Sequence, residues 1–388
     1  MSELGSSNET TSEKIVRPPE LTSLDEVLFE GSLDNDDSLT AESRFQWIVD
    51  ALEHHLMFCP PYHNLAKGQG FSVSNLHSES DLPSVPLLSS GSFKRRLIHT
   101  ETGTGVKNCT SSGTRGSQSL VPRDDRTLER FLGTVVYGLR SMIGLREARR
   151  VLVLGPTASE AGDLWFSYVL GLAELINDTS FFVNNGVLSS ELLADKLLEK
   201  QDNMDTLLVG PPSLLVDFLD FFGRNRLNTH LDKTMILTAG GWKSRADEAI
   251  DREILDKMIE DKLGISKENV RDIFNMVELN TVIFECQEKR KHLPPWLDVT
   301  ARQPSDLSVL PMGKSGLLAY LDPTALSYPG FILSDDFGYV DTGTCACGRH
   351  GRFMCIERRI ARIEERGCAL KMHSYTESTT QTQEPRYS

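Results

Sequence analysis

The 388-residue chain is short of positive charge: 41 lysines and arginines stand against 55 aspartates and glutamates, a net charge of −14. Such a surface offers no broad basic footprint, which excludes nucleic acid or an anionic membrane as the main partner, while small anions can still be held locally. No uninterrupted apolar run approaches the roughly 18 residues that cross a bilayer, and the first residues carry no basic and apolar leader pattern. The expectation is a soluble, cytoplasmic protein without integral membrane contact. Seven cysteines, an odd number scattered along a long chain, exclude a disulfide framework. A special cysteine here is reactive or metal-bound. No internal repeat is visible. What is present is enough apolar material, 39% of residues, for a sizeable core in two domains or one large domain with an appendage.

Both ends are polar and Ser/Thr-rich, so residues 1–22 and 373–388 read as disordered tails around a core of 23–340 and a short C-terminal arm, 341–372. "ESRFQWIVDALEHHLMF" places Phe45, Ile48, Val49, Leu52 and Leu56 on one helical face, with His54 and His55 read as surface residues. "DDRTLERFLGTVVYGLRSMIG" begins at an N-cap, Asp124 or Asp125, and carries Leu128, Phe131, Leu132, Val135 and Leu139 as its buried stripe. Then short apolar runs alternate with amphipathic helices: "RVLVLG", "SFFVN", "DTLLVG" and "TMILTAGG" are strands between helices. That alternation predicts an α/β fold with mostly parallel sheets covered by helices, whose ligands collect in loops at the strand ends.

Between the first helices and this alternating region lies "NCTSSGTRGSQSLVPRDD", with six hydroxyl residues, two glycines and no apolar periodicity. Gly113 and Gly116 free the backbone to present N–H groups, Ser111, Ser112 and Thr114 add hydroxyls, and a helix N-terminus follows close by. That combination suits a polyphosphate. It is not a Walker A loop, which requires Gly-Lys-Ser/Thr after four intervening residues. On its own the run reads equally as a linker.

Other segments decide the matter. "SSGTRGSQS" resembles the Thr/Ser-Ser-Gly-Thr-Thr-Gly loop of the acyl-adenylate-forming enzymes; "LTAGGWK", "DIFNMVELN" and "ILSDDFG" resemble, in the same order, that superfamily's adenine-bordering glycine pair, its Tyr-Gly-x-Thr-Glu segment and its Thr-Gly-Asp segment. "DLPSVPLLSSGSFKRR", "GGWK", "CACGRHG" and "RIARIEERGCAL" narrow the likeness to the LuxE-type acyl-protein synthetases, related to the phenylacetate–CoA ligase branch. The resemblance runs from about Leu24 to Met372. It implies activation of a fatty acid with ATP and Mg²⁺, transfer of the acyl group to the enzyme's own cysteine as a thioester, and delivery to an acyl reductase partner. By the same resemblance Ser111, Ser112, Gly113, Thr114 and Gly116 cradle the departing phosphates, Gly240 and Gly241 border the adenine, and Asp336 takes the ribose hydroxyls. Glu278 helps hold Mg²⁺, Arg359 reaches the adenylate, and Cys368 accepts the acyl group. Lys94 and Lys243 are the nearest local cations for a phosphate or carboxylate. Five departures stand out: Arg115 replaces a common threonine, Ser119 a lysine, Val277 a threonine, Asn275 a glycine, and Arg358 the glycine before Arg359. Coenzyme A or a carrier protein as acceptor, and a degenerate scaffold subunit of a reductase complex, remain open as alternatives.

Near the end, Cys345, Cys347 and Cys355, with His350 among them, form a cluster whose spacing is not that of a usual zinc ribbon. It reads either as a structural zinc site or as a tight turn docking the end of the chain. The acyl pocket is expected between the helices around 165–176 and 214–222.

Overall fold

The computed structural model describes residues 22–30, 37–112, 118–144, 150–175, 178–199, 205–227 and 229–360. Both terminal tails, and with them Cys368, lie outside the described residues, as do Gly113, Thr114 and Gly116.

The predicted crossover region is a six-stranded sheet. Its strands Thr179–Phe181, Arg150–Val153, Thr206–Gly210, Thr234–Ala239 and Val270–Phe274 run parallel in that spatial order, and Ile283–Phe284 closes the edge antiparallel. Alternate residues feed different cores, as a sheet covered on both faces requires. Val151, Val153, Leu207 and Leu237 enter the large apolar cluster, whereas Leu152, Leu154, Leu208 and Ile236 enter a second one. The helix Pro212–Arg224 spends Leu215, Phe218, Leu219 and Phe222 on that second cluster, against Leu255, Ile259 and Leu263 of Arg252–Leu263. Of the two helices expected to line the acyl pocket, this one is therefore a packing helix along its buried face.

A second sheet is antiparallel, in the order Lys291–His292, Arg352–Arg359, Phe331–Thr342, Gly316–Leu321 and Asp298–Arg302, with Leu88–Ser89 added parallel to Phe331–Thr342. No helix intervenes between Lys291–His292 and Arg352–Arg359, so the crossover pattern does not announce these strands. The chain passes from the first sheet to the second within the turn between Ile283–Phe284 and Lys291–His292.

The helix Asp125–Gly138 is wedged between the sheets, and its buried face is more polar than the predicted leucine stripe. Thr127, Arg130, Phe131, Thr134 and Gly138 are buried, while Leu128, Leu132 and Val135 are only partly so. The reason is hydrogen bonding to irregular backbone on both sides. Thr127 Oγ1 accepts from the N–H groups of Leu326 and Ser327 at 3.0 and 3.1 Å, and Thr134 Oγ1 accepts from that of Val282 at 3.2 Å. Asp124 is the N-cap, accepting from the Thr127 N–H at 2.8 Å. His55 is likewise buried, not on the surface as its sequence context indicates: its ring nitrogens lie 2.8 Å from Thr100 Oγ1 and 3.2 Å from the Ala325 carbonyl. Among the described residues no helix is long and apolar enough to cross a membrane.

Arg130 also grips the first described helix, Ser23–Glu30. Its Nε and Nη2 donate to the two carboxylate oxygens of Asp25 at 2.8 Å each, and both residues are almost fully buried. Burial alone would raise the Asp25 pKa; the Arg130 fork overrides it and holds the group at about 2. A carboxylate depressed in the folded state adds stability above its unfolded pKa, and that contribution is lost as pH falls through the folded value. Asp25→Asn is therefore expected to cost about 3–5 kcal/mol at pH 7 in urea unfolding. The gap should narrow as pH drops from about 4 towards 2. A gap constant across that window would show that Asp25 is not ion-paired.

Candidate active site

The hydroxyl-rich run begins and ends on the paired strands of a β-hairpin. Val106–Thr110 pairs antiparallel with Leu120–Asp124, with Val106 opposite Asp124 and Thr110 opposite Leu120. At the tip, Ser111 Oγ accepts from the Ser119 N–H at 3.0 Å, and the Ser119 carbonyl accepts from the Ser111 N–H at 3.1 Å. The Thr110 N–H and hydroxyl both donate to the Asp163 carbonyl, at 2.7 and 3.1 Å, pinning the tip to the loop beyond Arg150–Val153. Two described residues of the candidate cradle, Ser111 and Ser112, therefore sit on a fixed base. The helix N-cap, Asp124, is at the opposite end of the hairpin, four residue steps or about 13 Å from Leu120, so the helix dipole does not serve the tip.

Glu278 lies in the turn between Val270–Phe274 and Ile283–Phe284 and is buried. Burial raises its pKa; the nearby Ser119 hydroxyl and the charge of Arg359 work the other way. Asp336 sits in the middle of Phe331–Thr342, in extended strand, directly opposite Arg359 of the last strand. Its pKa is also raised by burial and opposed by Arg359. One carboxylate oxygen, Oδ2, is buried and makes no hydrogen bond among the described residues. The fold thus gathers Ser111, Ser119, Glu278, Asp336 and Arg359, drawn from four separate stretches of sequence.

Gly240 and Gly241 leave the C-terminal end of Thr234–Ala239, where Ala239 pairs with Ile273, so they emerge beside the segment that leads to Asn275 and Glu278. Both have φ in the left-handed region, +78° and +57°. At Gly240 a Cβ would come within 2.6 Å of the Phe166 ring, so the close approach is by the protein's own side chain; Gly241 has open space around it. Lys243 opens the 3₁₀ turn Lys243–Glu248. Lys94 is exposed on the short helix Ser92–Arg95, beside Leu88–Ser89 and Leu120–Asp124. Cys345 and Cys347 lie close together, but Cys355 is carried away on Arg352–Arg359, opposite Tyr339, and exposed His350 bonds Thr344 Oγ1 at 3.0 Å. The cysteine set expected from spacing is thus divided by the strand that starts inside it.

Three residues that hold the Glu278 turn escape a reading of the sequence alone. Arg123, fully buried, donates from Nη2 to the Val277 carbonyl at 2.6 Å and to Tyr328 Oη at 3.0 Å, and from Nε to Asn280 Oδ1 at 3.2 Å. Its guanidinium stacks 3.6 Å from the Trp165 ring. Asn275 accepts from Trp165 Nε1 at 2.7 Å and donates to the carbonyls of Leu279 and Thr281 at 2.9 and 3.0 Å. Asp322 accepts from the N–H groups of Asn280 and Thr281 at 3.0 and 2.8 Å and from both Thr281 and Thr324 hydroxyls. A charged residue inside an otherwise apolar strand, as in "LVPRD", was the available signal for Arg123.

A parallel sheet covered by helices, continued into an antiparallel sheet, is the architecture of the acyl-adenylate-forming ligases. Solved structures of 2-hydroxyisobutyryl-CoA ligase share it. The one in complex with 2-HIB-AMP and CoA in the thioesterification state aligns with TM-score 0.63 and 16% identity, covering 85% of this chain and 73% of that one. The one with R3-HIB-AMP in the postadenylation state gives TM-score 0.64 and 15% identity over the same shares. Within that class, residues 13–376 match the family model "Acyl-protein synthetase, LuxE", and the chain belongs to this family. It is an enzyme of the acid–thiol ligase type. It is 34% identical over 336 residues to the long-chain-fatty-acid–luciferin-component ligase of Aliivibrio fischeri, covering 85% of this chain and 88% of the relative. With the ligase of the same name from Vibrio harveyi it shares 33% over 365 residues, covering 90% and 93%.

The raised pKa of Glu278 has a signed consequence. A carboxyl whose folded pKa lies above its unfolded one contributes stability at low pH and loses it as pH rises through the folded value. Glu278→Gln has no proton to lose. Relative to the wild type it should gain stability as pH is raised from 5 to 8, read as a growing shift of the urea midpoint in its favour. A midpoint difference independent of pH would mean that the carboxyl is not desolvated.

Proposed function

We propose that this chain activates a long-chain fatty acid as its acyl-AMP and then takes the acyl group onto Cys368 as a thioester for delivery to an acyl reductase. The observation that carries the reading is Asp336: a buried carboxylate oxygen without a partner among the described residues, opposite Arg359, whose charge also reaches Glu278, is an acceptor waiting for hydroxyl donors. The residues present fit a nucleotide. Asp336 would accept the ribose hydroxyls, Arg359 would face the phosphate or ribose, and the Ser111–Ser119 hairpin tip would receive the far phosphates. The Glu278 carboxylate is a hard oxygen donor of the kind Mg²⁺ takes. ATP, when bound, supplies the phosphoanhydride that turns an unreactive carboxylate into a mixed anhydride.

In atoms, a carboxylate oxygen of the acid attacks the α-phosphorus and pyrophosphate leaves; the Cys368 thiolate then attacks the acyl carbon and AMP leaves with the bonding pair. The protein's contribution is alignment and charge neutralisation. Arg359 and the hairpin-tip hydroxyls face charge on the leaving group, and the clamped Glu278 turn keeps its carboxyl fixed while they do so. Chain geometry supports Cys368 as acceptor. The last described strand ends at Arg359, opposite Asp336, and the Ile360 N–H bonds the Asp335 carbonyl at 2.8 Å. Cys368 follows Arg359 by nine residues, a reach of up to about 30 Å from a root anchored at the site. The family description, acyl-protein synthetase, names a protein as the acyl acceptor.

Intact-mass measurement after incubation with ATP and a labelled long-chain fatty acid tests both halves. The wild type should gain one acyl group, labile to hydroxylamine. Cys368→Ser should lose that load yet keep carboxylate-dependent exchange of pyrophosphate into ATP, whereas Asp336→Ala should lose roughly 10- to 100-fold in kcat/KM for ATP in the exchange assay. An undiminished load on Cys368→Ser would reject the acceptor. Exchange unaffected in Asp336→Ala would reject the nucleotide site.

A further inference from the structure

The cysteine pair near the end of the chain has partners that spacing did not point to. Cys286, His292, Cys345 and Cys347 bring their ligand atoms within 4.8 Å of one another; the first three are buried and the fourth is half-buried. We propose that these four residues bind one structural zinc ion. Cys355 and His350 take no part.

The distances fit the ion. Two thiolates bound tetrahedrally to zinc at about 2.3 Å are about 3.8 Å apart, and a thiolate and an imidazole nitrogen at about 2.0–2.1 Å are about 3.6 Å apart. Cys286 Sγ lies 3.8 Å from Cys345 Sγ, and Cys347 Sγ lies 3.4 Å from His292 Nε2. The chain delivers the ligands in two matching turns. In the first, the Cys286 N–H donates to the Arg290 carbonyl at 2.8 Å and the Lys289 N–H to the Cys286 carbonyl at 3.0 Å; in the second, the Cys345 N–H donates to Arg349 at 2.8 Å and the Gly348 N–H to Cys345 at 2.9 Å. The residue three after each cysteine takes a positive φ: Lys289 at 60° and Gly348 at 87°. For a lysine that conformation is uncommon, and the repeat of one geometry in two unrelated stretches argues for a shared ligand. Backbone N–H groups of Glu288 and Arg290 point at the Cys286 sulfur, and that of Arg349 at the Cys347 sulfur.

Charge supports the same occupant. Three thiolates, a neutral imidazole and Zn²⁺ sum to −1. Around them stand Arg349, whose Nη1 donates to Cys347 Sγ at 3.7 Å, and Arg271, which is buried near Cys286 and Glu285 with Nε and Nη1 unpartnered among the described residues. Three sulfurs and one nitrogen in a closed set of four select zinc over the oxygen-seeking cations and leave no open position for chemistry. The site lies where the chain crosses between sheets: Cys286 follows the edge strand of the parallel sheet, and His292 and the Cys345–Cys347 turn belong to the antiparallel one. The ion would thus tie the two sheets together at the turn that feeds Arg352–Arg359, the strand that carries Arg359 and leads to Cys368.

The test is metal analysis of the full chain, purified with a thiol reductant and without chelators. About one zinc per chain is expected, released in step with modification of three thiols by a mercurial reagent. Replacement by Co²⁺ should give the intense visible absorption of a tetrahedral thiolate site. Cys286→Ser and Cys347→Ser should lose the ion while Cys355→Ser, in the same stretch but outside the cluster, retains it; the wild-type release measurement stands even where a variant fails to fold. Wild-type protein that carries no zinc and takes up none on dialysis against it would overturn the proposal. So would zinc retained by Cys286→Ser, or a Cys286–Cys345 disulfide in the reduced preparation. None of these outcomes bears on the acylation assay.

Discussion

The turn that carries Glu278 has almost no regular structure of its own, and it stays in place because buried charges hold it from both sides. Arg123 binds its Val277 carbonyl and the Asn280 side chain, while Asp322 accepts from the Asn280 and Thr281 N–H groups. Each of these charges would be expensive to bury alone. Each is repaid only because the irregular backbone offers several well-aimed partners at once, with Thr281 and Thr324 hydroxyls and Tyr328 completing the set. The clamp therefore works in both directions: it makes the turn rigid, and it makes Arg123 and Asp322 depend on the turn. Everything at the candidate site that must be held at a fixed distance from Glu278 inherits that rigidity, including Ser119 at the hairpin tip and Asp336 and Arg359 on the antiparallel sheet.

The two sheets divide the work. The parallel sheet presents strand ends and the Gly240–Gly241 turn, the usual place for a nucleotide in such folds. The antiparallel sheet contributes Asp336 and Arg359 from facing positions on neighbouring strands, so that an acid and a cation are fixed relative to one another by register alone. The wedged helix Asp125–Gly138 joins them, and its threonines satisfy backbone groups from both sides. A leucine in those positions would leave buried N–H groups without acceptors, which explains why the helix turns a mixed face inward. The acid-and-arginine pair Asp25–Arg130 fastens the N-terminal helix to the same wedge.

What was legible in the sequence follows the range of the interactions involved. The hydroxyl and glycine run, the acidic residue in "ILSDDFG" and the glutamate in "DIFNMVELN" were visible because each sits in a short local pattern. Arg123, Asn275 and Asp322 were not, because their partners are mostly far away in the chain: Arg123 and Val277 are 154 positions apart, and Asn280 and Asp322 are 42. His55 reads as a surface residue beside His54 until Thr100 and Ala325 are seen to close over it. The cysteine cluster shows the same limit most plainly. Its local spacing pointed to Cys345, Cys347 and Cys355, yet the strand that begins at Arg352 carries Cys355 off, and Cys286, 59 positions before Cys345, takes the place.

The sequence by itself determined the α/β class, the parallel crossover sheet and the family, because apolar periodicity and short motifs are properties of neighbouring residues. Only the tertiary structure decided that Ser111 and Ser119 stand at the far end of a hairpin from the helix that follows it. It alone set the polar face of that helix against two irregular segments and brought Cys286 and His292 to Cys345 and Cys347. The physical reason is that hydrogen-bond satisfaction and metal-ligand geometry are conditions on positions in space, and the chain meets them through strand register and sheet crossing, neither of which any local window of residues contains.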